Sequence, residues 1–79
     1  MVLLDAPAGS TVRILGFEGG RGFEKKMRQV GLMPGDCARV LRQAPFDGPF
    51  LVEVRGREIA LGKGVASQII VEKQPCDSL

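Results

Sequence analysis

The sequence predicts a mainly β domain, a small barrel of about five short strands with one α-helix inserted between the first two strands. Several short stretches alternate apolar and polar residues, as strands with one buried face do. One stretch instead spaces its apolar residues by three and four, as an amphipathic helix does. Turn-forming residues separate these stretches, and small sheets avoid exposed edges by closing into barrels.

The first predicted strand lies in the stretch STVRILGFEG. Val12 and Ile14 alternate with polar neighbours, so we expect both to face the core. Leu15 and Phe17 then fall on the opposite face of the strand. Gly16 lies between them and suits a β-bulge or a close approach of another backbone segment.

The stretch FEKKMRQV predicts the helix. Phe23, Met27 and Val30 are spaced by four and three residues, so they form one apolar stripe. Gly31 fits the left-handed position that follows the end of a helix. Leu32 is expected to fold back over the apolar stripe.

A turn and a second strand follow the helix. Pro34 and Gly35 suit a type II turn, because proline fixes φ at the first central position and glycine tolerates positive φ at the second. In the strand DCARVLRQ, Ala38 and Val40 alternate with polar residues and are expected to face inward. The loop APFDGP comes next and carries Phe46.

A tight hairpin is predicted by the sequence FLVEV-RG-REIAL, in which only Arg55 and Gly56 separate two apolar runs. This loop length fixes which residues face one another across the hairpin. The register pairs Val52 with Ile59 and Phe50 with Leu61 on the inner face, and Glu53 with Glu58 on the outer face.

A short helical turn in GKGVASQ and a last strand, IIVE, complete the chain, with Ile69 and Val71 inward. The elements together predict an SH3-like barrel whose helix packs its apolar stripe over one barrel mouth. We expect one domain over residues 1–73, followed by a flexible C-terminal tail over residues 74–79.

The composition argues against catalysis and against a resident metal or cofactor. The chain has no histidine, so no serine or cysteine has the usual base beside it. The predicted register places Glu53 and Glu58 on the exposed face. No CxxC pair or histidine cluster indicates a metal site. GGRGFEKK has the layout of a phosphate-binding loop but lacks the P-loop pattern. We therefore expect no enzymatic activity.

The two cysteines, Cys37 and Cys76, are too few for a disulfide scaffold. No apolar run is long enough to span a membrane, and the apolar start MVLL is ended at once by Asp5 and Pro7. These features predict a cytoplasmic protein. Because the cytosol is reducing, we expect two free thiols.

The order of the motifs resembles the FeoA family, small cytoplasmic accessory proteins of bacterial ferrous iron uptake. The similarity covers about residues 3–72. It rests on LDAPAGSTVRILGFEGG, a short amphipathic helix, VGLMPGD, RVLRQAPFDGPFLVEVRGREIAL and GVASQIIVE, in that order. The resemblance implies an SH3-like barrel that binds or regulates FeoB, the membrane permease with a cytosolic GTP-binding domain.

Two alternatives come from other classes of protein. The same barrel occurs as the C-terminal domain of metal-dependent repressors of the diphtheria-toxin-repressor type, so the chain can be a stand-alone relative of that domain. Small barrels also bind nucleic acids, but such surfaces carry stacking aromatics beside basic residues. This chain has four phenylalanines and no tyrosine or tryptophan, and its net charge is only +2. We therefore expect no nucleic-acid partner.

The predicted partner surface is the outer face of the helix with the adjoining loop. Arg21, Lys25 and Arg28 make this face net basic, with Glu24 as the main counter-charge, and Phe46 adds an apolar contact. For Phe46, at the tip of its loop, packing in the core is the alternative. The strands mix acids and bases at short range and project little net field. A solvated helix face without a partner is the alternative for these charges. Arg21 is also the candidate if the module acts on a GTPase through an arginine finger.

Overall fold

In the computed structural model, which describes residues 1–43 and 48–74, the predicted order of elements is confirmed. A single helix lies between the first two of five strands, and a one-turn helix precedes the last strand. The chain begins with a 3₁₀ turn, Leu3–Asp5. The elements are β1 Thr11–Phe17, α1 Gly20–Val30, β2 Cys37–Arg42, β3 Phe50–Val54, β4 Arg57–Leu61, α2 Lys63–Ala66 and β5 Ile69–Lys73.

The five strands form one antiparallel sheet in the order β4-β3-β2-β1-β5. The register of the β3–β4 hairpin is the one that its two-residue loop predicted, with Val52 opposite Ile59 and Glu53 opposite Glu58. Alternation along the strands fills the core. Its buried strand residues are Val12, Ile14, Ala38, Val40, Phe50, Val52, Val54, Leu61, Ile69 and Val71.

A bulge in β1 sets the environment of its last residues. The β1–β5 register shifts between Ile14 and Gly16, which confirms the irregularity expected at this glycine. Leu15 is 50% exposed, whereas Phe17 packs against the core and against Phe23, with ring centroids 5.8 Å apart. The expectation that Leu15 and Phe17 share a face is wrong, because the shifted register turns the later side chain toward the helix.

The helix is attached through the predicted stripe and ends as predicted. Met27 is buried, and Phe23 and Val30 pack against the core cluster. Gly31 adopts the left-handed conformation, with φ of 99°. The Leu32 N–H donates to the Met27 carbonyl over 2.9 Å, and the Gly31 N–H donates to the Arg28 carbonyl over 3.1 Å. These two bonds form a Schellman motif, which carries the Leu32 side chain into the core.

The two edges of the sheet differ. Along β5, Val2 forms a bridge with Ile70, and the backbone of Met1 exchanges two hydrogen bonds with Val71. The N-terminal segment therefore covers part of this edge. At the other edge lies β4, which pairs with β3 alone in the sheet.

Replacing the buried Met27 tests how the helix is anchored. Met27→Gln would place an amide in an apolar site, at a cost of about 1–3 kcal/mol. In a domain of this size we expect the melting temperature to fall by about 4–8 °C for each kcal/mol. Thermal unfolding followed by circular dichroism measures this. The exposed Lys26→Gln on the same helix is the control, and equal melting temperatures for the two variants would contradict the burial of Met27.

Replacing Gly31 tests the helix stop. An added Cβ would meet only Arg57 Nη1 at 3.6 Å, which is ordinary contact, so Gly31→Ala adds backbone strain rather than a clash. We expect a loss of about 1–2 kcal/mol in the free energy of unfolding, measured in urea. Gly22→Ala within α1 is the matched control, since a Cβ there meets nothing within 4 Å and alanine favours the helix. A stabilised Gly31→Ala variant would argue against the left-handed stop.

Candidate functional site

The outer face of α1 carries the basic residues that the sequence predicted as a partner surface. Arg21, Lys25 and Arg28 are exposed and, with Glu24, line a shallow depression of about 380 Å³. None of these four side chains forms an ion pair with another described residue. We call these four residues the helix face. Phe46, the fourth predicted contact, lies outside the described residues.

Immediately beyond the helix, two arginines hold the loop of residues 31–36. Arg55 Nη1 lies 3.1 Å from Asp36 Oδ1, and Arg55 Nη2 donates to the Gly31 carbonyl over 3.3 Å. From the other side, Arg13 Nη1 donates to the Gly35 carbonyl over 2.9 Å. The loop is thereby tied both to the β3–β4 turn and to β1. We call this set of contacts the arginine clasp.

Asp36 is the centre of the arginine clasp. Its carboxylate accepts from the Met33 N–H over 2.9 Å as well as from Arg55, and the Asp36 side chain is only 13% exposed. The Asp36 N–H donates back to the Met33 carbonyl, and Gly35 has φ of 95°, as a type II turn requires. Arg55 itself has φ of 53°, which suits the first central position of a type I′ hairpin turn but is uncommon for an arginine.

A second surface lies beside the arginine clasp on the outer side of the sheet. We call this open cavity of about 600 Å³ the arginine groove. Arg39 lines this groove, and its side chain forms no hydrogen bond or ion pair with another described residue. In the β2–β3 register, Arg39 lies opposite Glu53. The groove is lined by Arg13, Gly35, Asp36, Cys37, Arg39, Glu53, Arg55 and Gly56.

The arginine groove was not predicted from the sequence. Strand alternation was a usable signal, since Arg39 and Glu53 occupy outward positions on predicted strands. The clasp contacts had no such signal, because they join residues 19 and 22 positions apart along the chain. Their pairing depends on where the sheet brings the β3–β4 turn, not on any local pattern.

The expectation of a free thiol at Cys37 is wrong, because Cys37 is disulfide-bonded. Cys76, the other cysteine of the chain, lies outside the described residues. The expectation was based on the small number of cysteines and on a reducing compartment, and neither shows which segments the fold brings close to Cys37. Cys37 lies opposite Arg13, and Arg13 also bonds Gln74 through its Nε, so the last described residue of the chain runs close to the start of β2.

Two further properties concern only the part of the chain that the structure describes. Within residues 1–43 and 48–74, no group of three or more histidine, cysteine or acidic residues is placed to hold a metal ion. None of the helices in these ranges is long and apolar enough to cross a membrane.

With the geometry established, comparison with known proteins places the chain in a family. The family model of the FeoA domain matches residues 1–73. The chain belongs to the FeoA family. A putative Fe(2+) transport protein A from Methanocaldococcus jannaschii is 30% identical over 67 residues, which cover 85% of this chain and 79% of that protein.

Solved FeoA structures share the fold. An iron uptake regulatory protein (FeoA) is 31% identical, with a TM-score of 0.85 over 94% of this chain and 97% of the other. The FeoA of Stenotrophomonas maltophilia, described as a prokaryotic SH3 domain protein, is 21% identical, with a TM-score of 0.75 over 91% and 89% of the two chains. The predicted SH3-like architecture is thus confirmed.

The likeness to repressors that the sequence suggested is found at the level of the fold. A manganese-dependent transcriptional repressor is 20% identical, with a TM-score of 0.84, and the match covers 94% of this chain but 41% of the repressor. At this identity the likeness shows a shared fold alone. The same fold therefore also forms one part of a larger protein.

Substitutions at Arg55 and Asp36 of the arginine clasp should destabilise the protein to different extents. Arg55→Ala should cost at most about 1 kcal/mol, because the Arg55 side chain is 58% exposed and solvent screens the ion pair. Asp36→Ala should cost about 1–2 kcal/mol, since it also leaves the Met33 N–H without its acceptor. Urea unfolding of the two variants measures the difference. If Arg55→Ala costs more than Asp36→Ala, Asp36 is not the centre of the clasp.

Proposed function

We propose that this protein is a non-catalytic accessory protein of ferrous iron uptake, which binds or regulates a FeoB-type membrane permease from the cytoplasm. Membership of the FeoA family supports the transport role. So does the name of the Methanocaldococcus relative, a putative Fe(2+) transport protein A. The chemistry of the partnership is protein–protein contact, with the barrel as a rigid support for the contacting side chains.

We place the contact on the helix face, with Phe46 as an additional apolar contact. This assignment is based on one observation: the basic side chains of the helix face form no ion pair with a described residue. Arg21, Lys25 and Arg28 project from one side of α1, and no described residue neutralises them through an ion pair. Unpaired cations on one face steer a protein toward an acidic surface and suppress contact with basic ones.

The structure also explains why substitutions on the helix face should leave the fold intact. The attachment of α1 depends on Met27, Phe23 and Val30, which lie on its opposite side. Arg28 and Lys25 are exposed and contribute nothing to that packing. Loss of binding in a helix-face variant that keeps the wild-type helix content by circular dichroism therefore reports the surface and not unfolding.

Charge reversal on the helix face tests the proposal. We expect Lys25→Glu/Arg28→Glu to bind the cytosolic domain of the permease at least about tenfold more weakly, because two attractive charges become repulsive. Isothermal titration calorimetry at two salt concentrations measures the affinity, and the wild-type affinity should fall as salt is raised. Ferrous iron uptake in cells that carry the variant should fall with it.

The control changes the same total charge elsewhere. Lys63→Glu/Lys73→Glu reverses two exposed cations on α2 and β5, and it should bind as the wild type does. Equal losses in both double variants would mean that only net charge matters. Normal binding and iron uptake by a folded Lys25→Glu/Arg28→Glu variant would place the contact away from α1.

A further inference from the structure

The β4 edge of the sheet is open, while the opposite edge is partly covered. A strand at the edge of a sheet presents unpaired N–H and C=O groups to its surroundings. At β5 the backbone of Met1 satisfies both polar backbone groups of Val71. At β4 no corresponding segment is found among the described residues.

The register identifies which groups of β4 point outward. Because Arg55 and Gly56 form a two-residue loop, the flanking pair Val54 and Arg57 is a hydrogen-bonded pair. Hydrogen-bonded and non-hydrogen-bonded pairs alternate along an antiparallel ladder. The N–H and C=O groups of Glu58 and Ala60 therefore point away from β3.

Nothing in the described ranges meets those outward groups. Among the described residues, no backbone or side-chain hydrogen bond involves the N–H or C=O of Glu58 or Ala60, and both residues are exposed. Of the devices that usually protect an edge, β4 has a short length and the charged residues Arg57 and Glu58, but it lacks others. The β3–β4 ladder runs without a register shift, and β4 contains no proline and no lysine.

We propose that β4 is a strand-addition site and that its occupant is the β4 strand of a second copy of this chain, paired antiparallel about Ile59. In this register the backbone N–H and C=O of Glu58 bond the C=O and N–H of Ala60 in the second copy. By symmetry, Ala60 of the first copy bonds Glu58 of the second copy in the same way. Four backbone hydrogen bonds join the two sheets into one ten-stranded sheet.

The side chains fit this register. The half-buried Ile59 lies opposite Ile59 of the second copy, in a non-hydrogen-bonded pair where side chains are closest. Glu58 lies opposite Ala60, so the two glutamates are not opposed. Shifting the pairing by one residue would offer the β3-bonded groups of Ile59 instead. Registers centred on Glu58 or on Ala60 would pair that residue only with itself in the second copy, whereas the register about Ile59 uses the free groups of both residues.

The contact is small, so the dimer should be weak. Five residues a side bury far less surface than the roughly 1,200 Å² of a stable interface. We expect half-dimerisation on the order of 100 µM. The interaction is independent of the helix face, which lies on a different element, and it does not depend on the proposed permease partner.

Backbone amide exchange and sedimentation test the proposal on the intact protein. Sedimentation equilibrium should show the average mass rising from monomer toward dimer between about 10 µM and 1 mM. Over the same range, exchange of the Glu58 and Ala60 amides should slow at least fivefold. The Arg57 and Ile59 amides already bond β3 and should change little.

Ala60→Pro removes one outward donor from each copy and places the proline ring where the second strand would lie. It should remain monomeric at 1 mM with a near-wild-type melting temperature, while Ala60→Ser, which keeps the N–H, should dimerise as the wild type does. A wild-type protein that is monomeric at 1 mM overturns the proposal, as does an Ala60→Pro variant that dimerises equally. If Ala60→Pro fails to fold, the concentration dependence of the Glu58 and Ala60 amide exchange decides.

Discussion

The left-handed residue at the end of α1 is the constraint on which the surrounding structure depends. With φ of 99° at Gly31, the chain reverses within one residue and the Leu32 N–H can reach the Met27 carbonyl. Leu32 then enters the same core as Met27, so the helix end and the loop start are packed by one cluster. From that fixed point the loop reaches Asp36, where Arg55 holds it against the β3–β4 turn. A side chain at Gly31 would strain the backbone in this left-handed conformation and so destabilise the connection between α1 and the loop of residues 31–36.

Local pattern was sufficient for most of the fold. Apolar alternation identified the inward residues of the strands, and the two-residue Arg55-Gly56 loop was enough to predict the hairpin register. Spacing by three and four identified the buried side of α1. These features depend on neighbours within a few residues, which is why they could be read from the sequence.

The remainder depends on contacts between distant segments. Arg13 and Arg55 meet the loop of residues 31–36 only because the sheet brings β1 and the hairpin turn to it. Phe17 faces the helix because a bulge with β5 shifts its register. The state of Cys37 depends on which segments the fold brings close to it, and a count of two cysteines carries no such information. For the candidate site, the sequence identified the charges of the helix face but not the arginine groove on the sheet.

Few buried side chains attach α1 to the core, so its local stability is low. Of its eleven residues only Met27 is fully buried, whereas each of β1, β2, β3 and β5 buries at least two. In the native state, elements with few buried contacts unfold locally at a free-energy cost well below that of global unfolding. The helix can therefore fray while the five-stranded sheet stays intact. The helix face is present only while α1 is folded, so it is subject to the local equilibrium between folded and frayed helix. A ligand that binds only the folded helix face also stabilises α1 by mass action.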